Sequence, residues 1–225
     1  MIKENLEIIR KDLPSEIKLV AVSKFHPVES IVEAFEAGQR AFGENRPQEL
    51  EQKVKWLKEN RPDILDASEF HFLGHLQTNK LKMVLPYATL VQSVDSLHLL
   101  QEIDKWGRDN SRTLDVLLEL HIGAEETKQG FVEEEILDIL FRADSFRNIR
   151  FRGLMGMASH TEDTEVIAAD FERIDSFMAY LVDLFPELDS FDQLSIGMSD
   201  DWRIALQHGA TIVRIGTAIF GSRQY

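Results

Sequence analysis

Short apolar runs alternate along the chain with longer stretches in which apolar residues recur every three or four positions. Runs of this kind mark buried strands, and the three-to-four spacing marks amphipathic helices. The pattern predicts eight strands, at 17–22, 40–42, 70–73, 90–93, 114–121, 150–155, 193–196 and 211–215. It predicts helices over 27–37, 47–60, 79–84, 96–109, 132–141, 165–185 and 199–208, with one more at about 2–12 ahead of the first strand. The clearest stripe is Ile167, Phe171, Ile174, Phe177, Tyr180, Leu181 and Leu184. Such a stripe is a core-facing surface.

Strands separated by helices imply a parallel α/β sheet with right-handed crossovers. Eight units can close into a (β/α)₈ TIM barrel, and 225 residues suit a compact one. An open doubly wound sheet would need fewer strands. No G-x-G-x-x-G follows the first strand, so a dinucleotide-binding reading lacks its phosphate loop. No Pro/Gly/Ser-rich linker interrupts the pattern, so residues 1–225 are read as a single domain.

Composition narrows the function classes. A hydrophobic fraction of 44% with 28% charged residues fits a globular chain with a sizeable core. The formal charge is −14, from 39 acidic against 25 basic side chains. Such a surface repels phosphate backbones and anionic lipids, so neither nucleic acid nor membrane is an expected partner. An anionic small molecule would need a local cluster of donors. The absence of cysteine excludes disulfides, thiolate nucleophiles and sulfur-ligated zinc, and is compatible with a reducing cytoplasm. The opening "MIKENLEIIRKDLP" has helical spacing through Leu6, Ile9 and Leu13 and no apolar signal-peptide core. No run approaches the ~18 to 20 apolar residues that span a bilayer. The expectation is a cytoplasmic protein.

In a barrel, chemistry gathers at the carboxyl ends of the strands. There the sequence places Ser23-Lys24-Phe25-His26, "FGENRPQE", "GHLQTNK", "GLMGMASH", "SIGMSDD" and "VRIGTAIFG". Val20, Val22 and Lys24 share one face of the first strand, as Ile212, Arg214 and Gly216 do on the eighth. If the sheet closes with both faces inward, Lys24 and Arg214 meet at the top of the barrel. Two cations there need an anion between them or a neutral lysine, and a desolvated amine beside a guanidinium is a usable nucleophile for Schiff-base chemistry. The plainer reading of Lys24 is a solvated strand-end lysine.

Ser195, Gly197, Ser199, Gly216 and Thr217 sit where barrels hold phosphate, around backbone N–H groups after strands seven and eight. Ser199 is also read as an N-cap, with Asp200 and Asp201 pointing outward from a first turn. Asn45 is a candidate for hydrogen-bonding a bound ring, or a turn residue. His75 and Gln77 are candidates to line the pocket. His71 and His75 form an H-x₃-H pair, but on an extended strand they would stand ~13 Å apart, too far for one metal.

Eight stretches, "LVAVSK", "FGENRPQEL", "FHFLGHLQTNK", "SVDS", "KQGF", "RGLMGMA", "LSIGMSDD" and "VRIGTAIFG", run in order from about residue 19 to 221. Together they resemble the YggS/PROSC family of pyridoxal 5′-phosphate (PLP) homeostasis proteins, which are alanine racemase-like PLP-binding barrels. The resemblance implies a fold-type III PLP barrel without the extra β-domain of alanine racemase. It implies PLP as cofactor, held as a Schiff base on Lys24, with Arg214 facing the pyridine nitrogen and phosphate around Ser195, Ser199, Gly216 and Thr217. Asn45, His75 and Met198 complete the expected cofactor-binding set. His121 and Arg46-Pro47 depart from the family pattern, in loop detail only.

An arginine at the ring nitrogen leaves it unprotonated, a weak electron sink. By resemblance to alanine racemase, a racemase would also need a tyrosine base from a further β-domain. Tyr87 falls at the wrong strand end, Tyr180 within a helix, and Tyr225 at the last position, with about ten residues after strand eight. The expectation is a non-catalytic carrier, a monomer or weak dimer that exchanges PLP with apo PLP-dependent enzymes. A PLP-dependent racemase using Lys24 as sole base, and a Schiff-base aldolase acting on a sugar phosphate, are the alternatives.

Overall fold

A computed structural model describes residues 1–123 and 129–221. Tyr225 and Lys128 of "KQGF" lie outside the described residues. Eight parallel strands form a closed barrel in chain order: β1 (Lys18–Val22), β2 (Ala41–Glu44), β3 (Glu69–Phe72), β4 (Leu90–Val94), β5 (Leu114–Glu119), β6 (Ile149–Met155), β7 (Gln193–Ser195) and β8 (Ile212–Ile215). β1 pairs with β8 through Lys18↔Ile212, Leu19↔Val213, Val20↔Arg214 and Ala21↔Ile215, which closes the sheet.

The surrounding helices are α1 (Ile2–Asp12), α2 (Val28–Glu36), α3 (Pro47–Asn60), α4 (Pro62–Asp66), α5 (Leu81–Val84), α6 (Leu97–Asp109), α7 (Glu133–Leu140), α8 (Thr164–Leu184), α9 (Trp202–Ala205) and α10 (Thr217–Phe220). Several differ from the sequence pattern: α4 and α10 were not expected, a 3₁₀ turn over Thr78–Lys80 precedes α5, and α9 is shorter than expected. Pro62 lacks an N–H and restricts Arg61 before it, so α3 stops at Asn60 and α4 restarts with proline in its first turn. The expected helix at 199–208 shrinks to one helical turn, α9, flanked by turns at 199–201 and 206–209, while residues 196 and 197 still bond to β8. Among the described residues, no helix is long and apolar enough to cross a membrane.

Strand alternation sorts the apolar residues into two cores. Leu19, Ala21, Phe42, Phe70 and Phe72 point outward and are buried against the helices. Val20, Ala41, Leu90, Leu117, Met155 and Ile212 point inward and form one separate cluster, with Met157 packed on it. Much of the remaining interior is polar, with His71, Gln92, Glu119, Ser195 and Arg214 all buried there. At the amino ends of the strands, Lys18 pairs with Glu69 at 2.6 Å, and Asp115 with Arg152 at 2.9 Å.

Pairing of β5 with β6 shifts register between Val116 and Leu117. On the partner strand Gly153 takes φ of +140°, and a Cβ there would lie 1.9 Å from the Gln193 carbonyl oxygen of β7. Gly153→Ala is therefore expected to lose roughly 2 to 5 kcal/mol, from forbidden backbone and overpacking together. Urea unfolding of the variant checks this, and an unchanged midpoint would show that β6 and β7 can separate at no cost.

Candidate functional site

β1 ends at Val22, yet Ser23 N–H still donates to Gly43 O at 3.0 Å, so Lys24 is the first residue beyond the sheet ladder. Both of its neighbours are held from outside the barrel. Lys53 Nζ donates to Ser23 O at 2.8 Å and to Glu44 Oε1 at 2.6 Å. Ser23 Oγ donates to the same Glu44 oxygen at 2.6 Å, and Phe25 N–H donates to Glu49 Oε2 at 2.8 Å. Glu49 and Lys53 are one turn apart on α3, with Nζ and Oε2 at 3.6 Å. Phe25 adopts a left-handed φ of 65°, and the Arg46 guanidinium covers its ring at 4.3 Å.

This clamp fixes the turn that carries Lys24. Glu44 faces outward from β2 and is fully buried, and burial pushes its carboxyl upward against the pull of Lys53 and Ser23. A cavity of about 630 Å³ opens on the outer side of the turn, lined by Phe25, His26, Glu49, Lys53 and Trp56 among others. It backs onto the clamp, away from the barrel mouth.

Arg214 lies inside the barrel, 5% exposed. It donates through Nη1 to Ser195 O and Ser195 Oγ, both at 2.7 Å, and through Nη2 to Gly156 O at 3.0 Å. Burial lowers its pKa to about 10, with the Asp201 and Glu119 carboxylates opposing, so it stays a cation at neutral pH. The expected side-by-side register with Lys24 is corrected at the backbone: Val20 is the residue opposite Arg214, and Lys24 follows four residues later, in the turn past the end of β1. Gly216 lies between the two levels, where a Cβ would come within 3.1 Å of Val22 O.

Glu119 continues the inward alternation of Leu117 on β5 and is 4% exposed. Burial pushes its carboxyl up to about 7, Asp95 adds to the rise and Arg214 opposes it. Asp95 follows β4, and its Oδ2 lies 2.7 Å from His75 Nδ1. His71 instead turns into the barrel toward Gln92 and Glu69. The two histidines serve separate networks.

At the ends of β7 and β8, the structure corrects the capping expectation for Ser199. Asp201, not Ser199, precedes α9, and Ser199 Oγ accepts from Gly216 N–H at 3.3 Å. Asp201 does not point outward, since its carboxylate accepts from Met198 N–H and acts on Arg214. Thr217 opens α10 and is exposed, and Met198 is 39% exposed. Ser195 is fully buried with its hydroxyl between Gln92 and Arg214. Asn45 follows β2, and its Oδ1 is buried without a hydrogen-bond partner among the described residues.

Lys24, Asn45, His75, Met198, Ser199, Gly216 and Thr217 thus lie beyond the carboxyl ends of their strands, with Arg214 and Ser195 inside the barrel below. A fixed guanidinium and a clamped lysine, beside a paired hydroxyl and N–H and an orphaned amide oxygen that can only accept, form a polar set suited to an anionic ligand with a polar ring. Sequence reasoning missed Glu44, Lys53, Glu49, Asp95 and Glu119. The Glu49–Lys53 spacing was readable as a helical pair, but nothing local said that it grips the turn of strand one.

The family model for the alanine racemase N-terminal domain matches residues 1–224. The pyridoxal phosphate homeostasis protein of Vibrio alginolyticus is 37% identical over 212 residues, covering 94% of this chain and 89% of the relative. The structure of PipY from Synechococcus elongatus with PLP bound superposes with a TM-score of 0.88 at 33% identity, covering 98% of this chain and 100% of PipY. Alanine racemase of Clostridium difficile shares the fold, with a TM-score of 0.74 at 15% identity over 100% of this chain and 56% of its own.

Lys53→Met leaves the buried Glu44 carboxylate unpaired and is expected to cost about 3 to 5 kcal/mol in urea unfolding. Parent-like stability would show the clamp to be idle. Glu119 gives a pH signature. Its carboxyl rises from 4.5 when unfolded to about 7 when folded, so the folded chain holds the proton more tightly. Stability from this group is full below pH ~4.5, falls as pH rises toward ~7, and is flat above. Glu119→Gln should unfold at a higher temperature than the parent at pH 8 and lose that advantage by pH 4.5. An equal difference at both pH values would refute the assignment.

Proposed function

Because the chain belongs to the pyridoxal phosphate homeostasis protein family, built on the alanine racemase N-terminal-domain barrel, we propose that it binds PLP and serves intracellular PLP homeostasis. The observation that carries this reading is a lysine clamped at the barrel mouth above a buried, permanently charged Arg214. Bound PLP supplies an electrophilic aldehyde, a pyridine ring and a phosphate. The Lys24 amine takes the aldehyde covalently with loss of water. Arg214 meets the ring nitrogen as a pure donor. The segment carrying Met198, Ser199, Gly216 and Thr217 receives the phosphate, Asn45 offers its free amide oxygen, and His75 and Ser195 hold the walls.

Within one domain, as a monomer or weak dimer in a reducing cytoplasm, the protein holds PLP and passes it to apo PLP-dependent enzymes. Retention rather than turnover follows from the chemistry. Arg214 carries no proton that it can give up at neutral pH, so the ring nitrogen stays unprotonated. Among the described tyrosines, Tyr87 lies between α5 and β4 at the amino ends of the strands, and Tyr180 is 52% exposed on α8. A second reading, an amino-acid racemase using Lys24 as its lysine base, draws support from Glu119, a buried carboxyl that exchanges its proton near neutral pH.

Incubation with PLP should produce a band near ~420 nm that is absent in Lys24→Ala. A colourless parent would overturn the reading. Holo-protein mixed with an apo-enzyme and a trap for free PLP should still deliver the cofactor. Sustained α-proton exchange of L- or D-amino acids in deuterated water would favour the racemase.

A further inference from the structure

Five polar side chains inside the barrel, Arg214, Ser195, Gln92, His71 and Glu69, form a continuous chain whose direction can be deduced. Arg214 is only a donor, so Ser195 Oγ accepts from it at 2.7 Å and must spend its own proton elsewhere. That proton goes to Gln92 Oε1 at 2.6 Å. The Gln92 oxygen is thereby an acceptor, which turns its NH₂ toward His71 Nδ1 at 2.7 Å. His71 accepts there, so its proton sits on Nε2, 3.2 Å from Glu69 Oε2. Glu69 ends the chain as a carboxylate, held at about 2 chiefly by the His71 hydrogen bond and also by Lys18 at 2.6 Å.

Every hydrogen therefore points the same way, from the guanidinium near the mouth to a carboxylate at the opposite end of the barrel. The links come from β8, β7, β4 and β3, so the chain crosses the interior instead of following one strand. His71, Gln92 and Ser195 are all buried, and burial keeps His71 neutral, as an accepting Nδ1 requires. Hydrogen bonds aligned head to tail polarise one another, so the charge on Glu69 makes Ser195 Oγ a better acceptor for Arg214.

We propose that Ser195, Gln92 and His71 are positioning residues for Arg214, and that their one-way chain, anchored on the Glu69–Lys18 pair, fixes the guanidinium where the ligand ring must be met. This rests on the PLP reading, and the test separates the two. Gln92→Met breaks the chain at similar volume. Glu69→Gln removes only the terminal charge, at a half-exposed position far from the mouth.

Two measurements are made on each variant. In the protein without PLP, ¹⁵N NMR follows hydrogen exchange of the Arg214 guanidinium. With PLP, titration gives the Kd and the position of the visible band, while inorganic phosphate is used as a competing probe. Gln92→Met should speed guanidinium exchange and weaken PLP about tenfold, as expected for losing one charge-assisted bond. It should move the band and leave phosphate competition unchanged. Glu69→Gln should do the same to a lesser degree.

Unchanged exchange and Kd in both variants would overturn the proposal. So would parallel losses of PLP affinity, phosphate affinity and melting temperature in Gln92→Met with Glu69→Gln silent, which is the mark of a merely structural role. A parent that forms no Lys24-dependent band overturns the cofactor reading instead, and guanidinium exchange still decides the positioning role.

Discussion

A guanidinium buried inside a barrel sets the terms for the rest of this structure. Arg214 brings several donors and no acceptor, and each donor removed from water needs an oxygen. Two come from Ser195 and one from Gly156, on the strands and loops next to β8. Those acceptors are in reach because β6, β7 and β8 lie side by side in the barrel. Satisfying one cation then recruits Ser195, Gln92 and His71, which occupy interior positions that other barrels fill with branched apolar residues. The inward-facing apolar cluster is correspondingly thin, and the helix-facing core carries most of the hydrophobic burial.

The Lys24 turn obeys a related constraint from the other side of the sheet. A lysine just past a strand would ordinarily sweep a wide volume. Here the carbonyl before it and the N–H after it are each gripped by a charged side chain of α3. The underlying Glu44–Lys53 pair is buried, and buried pairs contribute little net stability against their hydrophobic replacements. Its contribution is specificity: one backbone course for Ser23–Phe25, with Phe25 left-handed. Under the proposed reading, rigid placement suits an amine that would have to meet one carbon of the ligand.

Much of this was legible in the sequence. The eight strands fall within about two residues of their expected bounds, because parallel strands are buried on both faces and read as unbroken apolar runs. α3 occupies the range 47–60 expected from its pattern. Lys24, Asn45, Ser199 and Gly216 were expected past the carboxyl ends of their strands, where polar and small residues gather, and they lie there. The register between β1 and β8 was not legible, since it depends on the stagger with which the barrel closes. That is why Lys24 was expected opposite Arg214, where the register instead places Val20. Gln92 and His71 looked like ordinary strand residues, and their contact needs the tertiary fold. Ser199 misled because a serine before two aspartates reads as a cap wherever it occurs, while its hydroxyl is taken by Gly216 on another loop.

The direction of the interior chain bears on whether such a barrel transforms its ligand or only keeps it. A ring nitrogen becomes a strong electron sink when an acid gives it a proton. Arg214 has none to give at neutral pH, and every hydrogen beneath it points away from the mouth, toward Glu69. No proton can travel up that chain without reversing the Ser195 hydroxyl, the Gln92 amide and the His71 tautomer together. Glu119 is different. It is buried, acts electrostatically on Arg214, and holds its proton up to about pH 7. Its ionised form would strengthen the field that keeps Arg214 charged, and its neutral form relaxes it. Under the proposed reading the chain favours holding, and Glu119 is the buried interior carboxyl whose proton is exchanged near neutral pH.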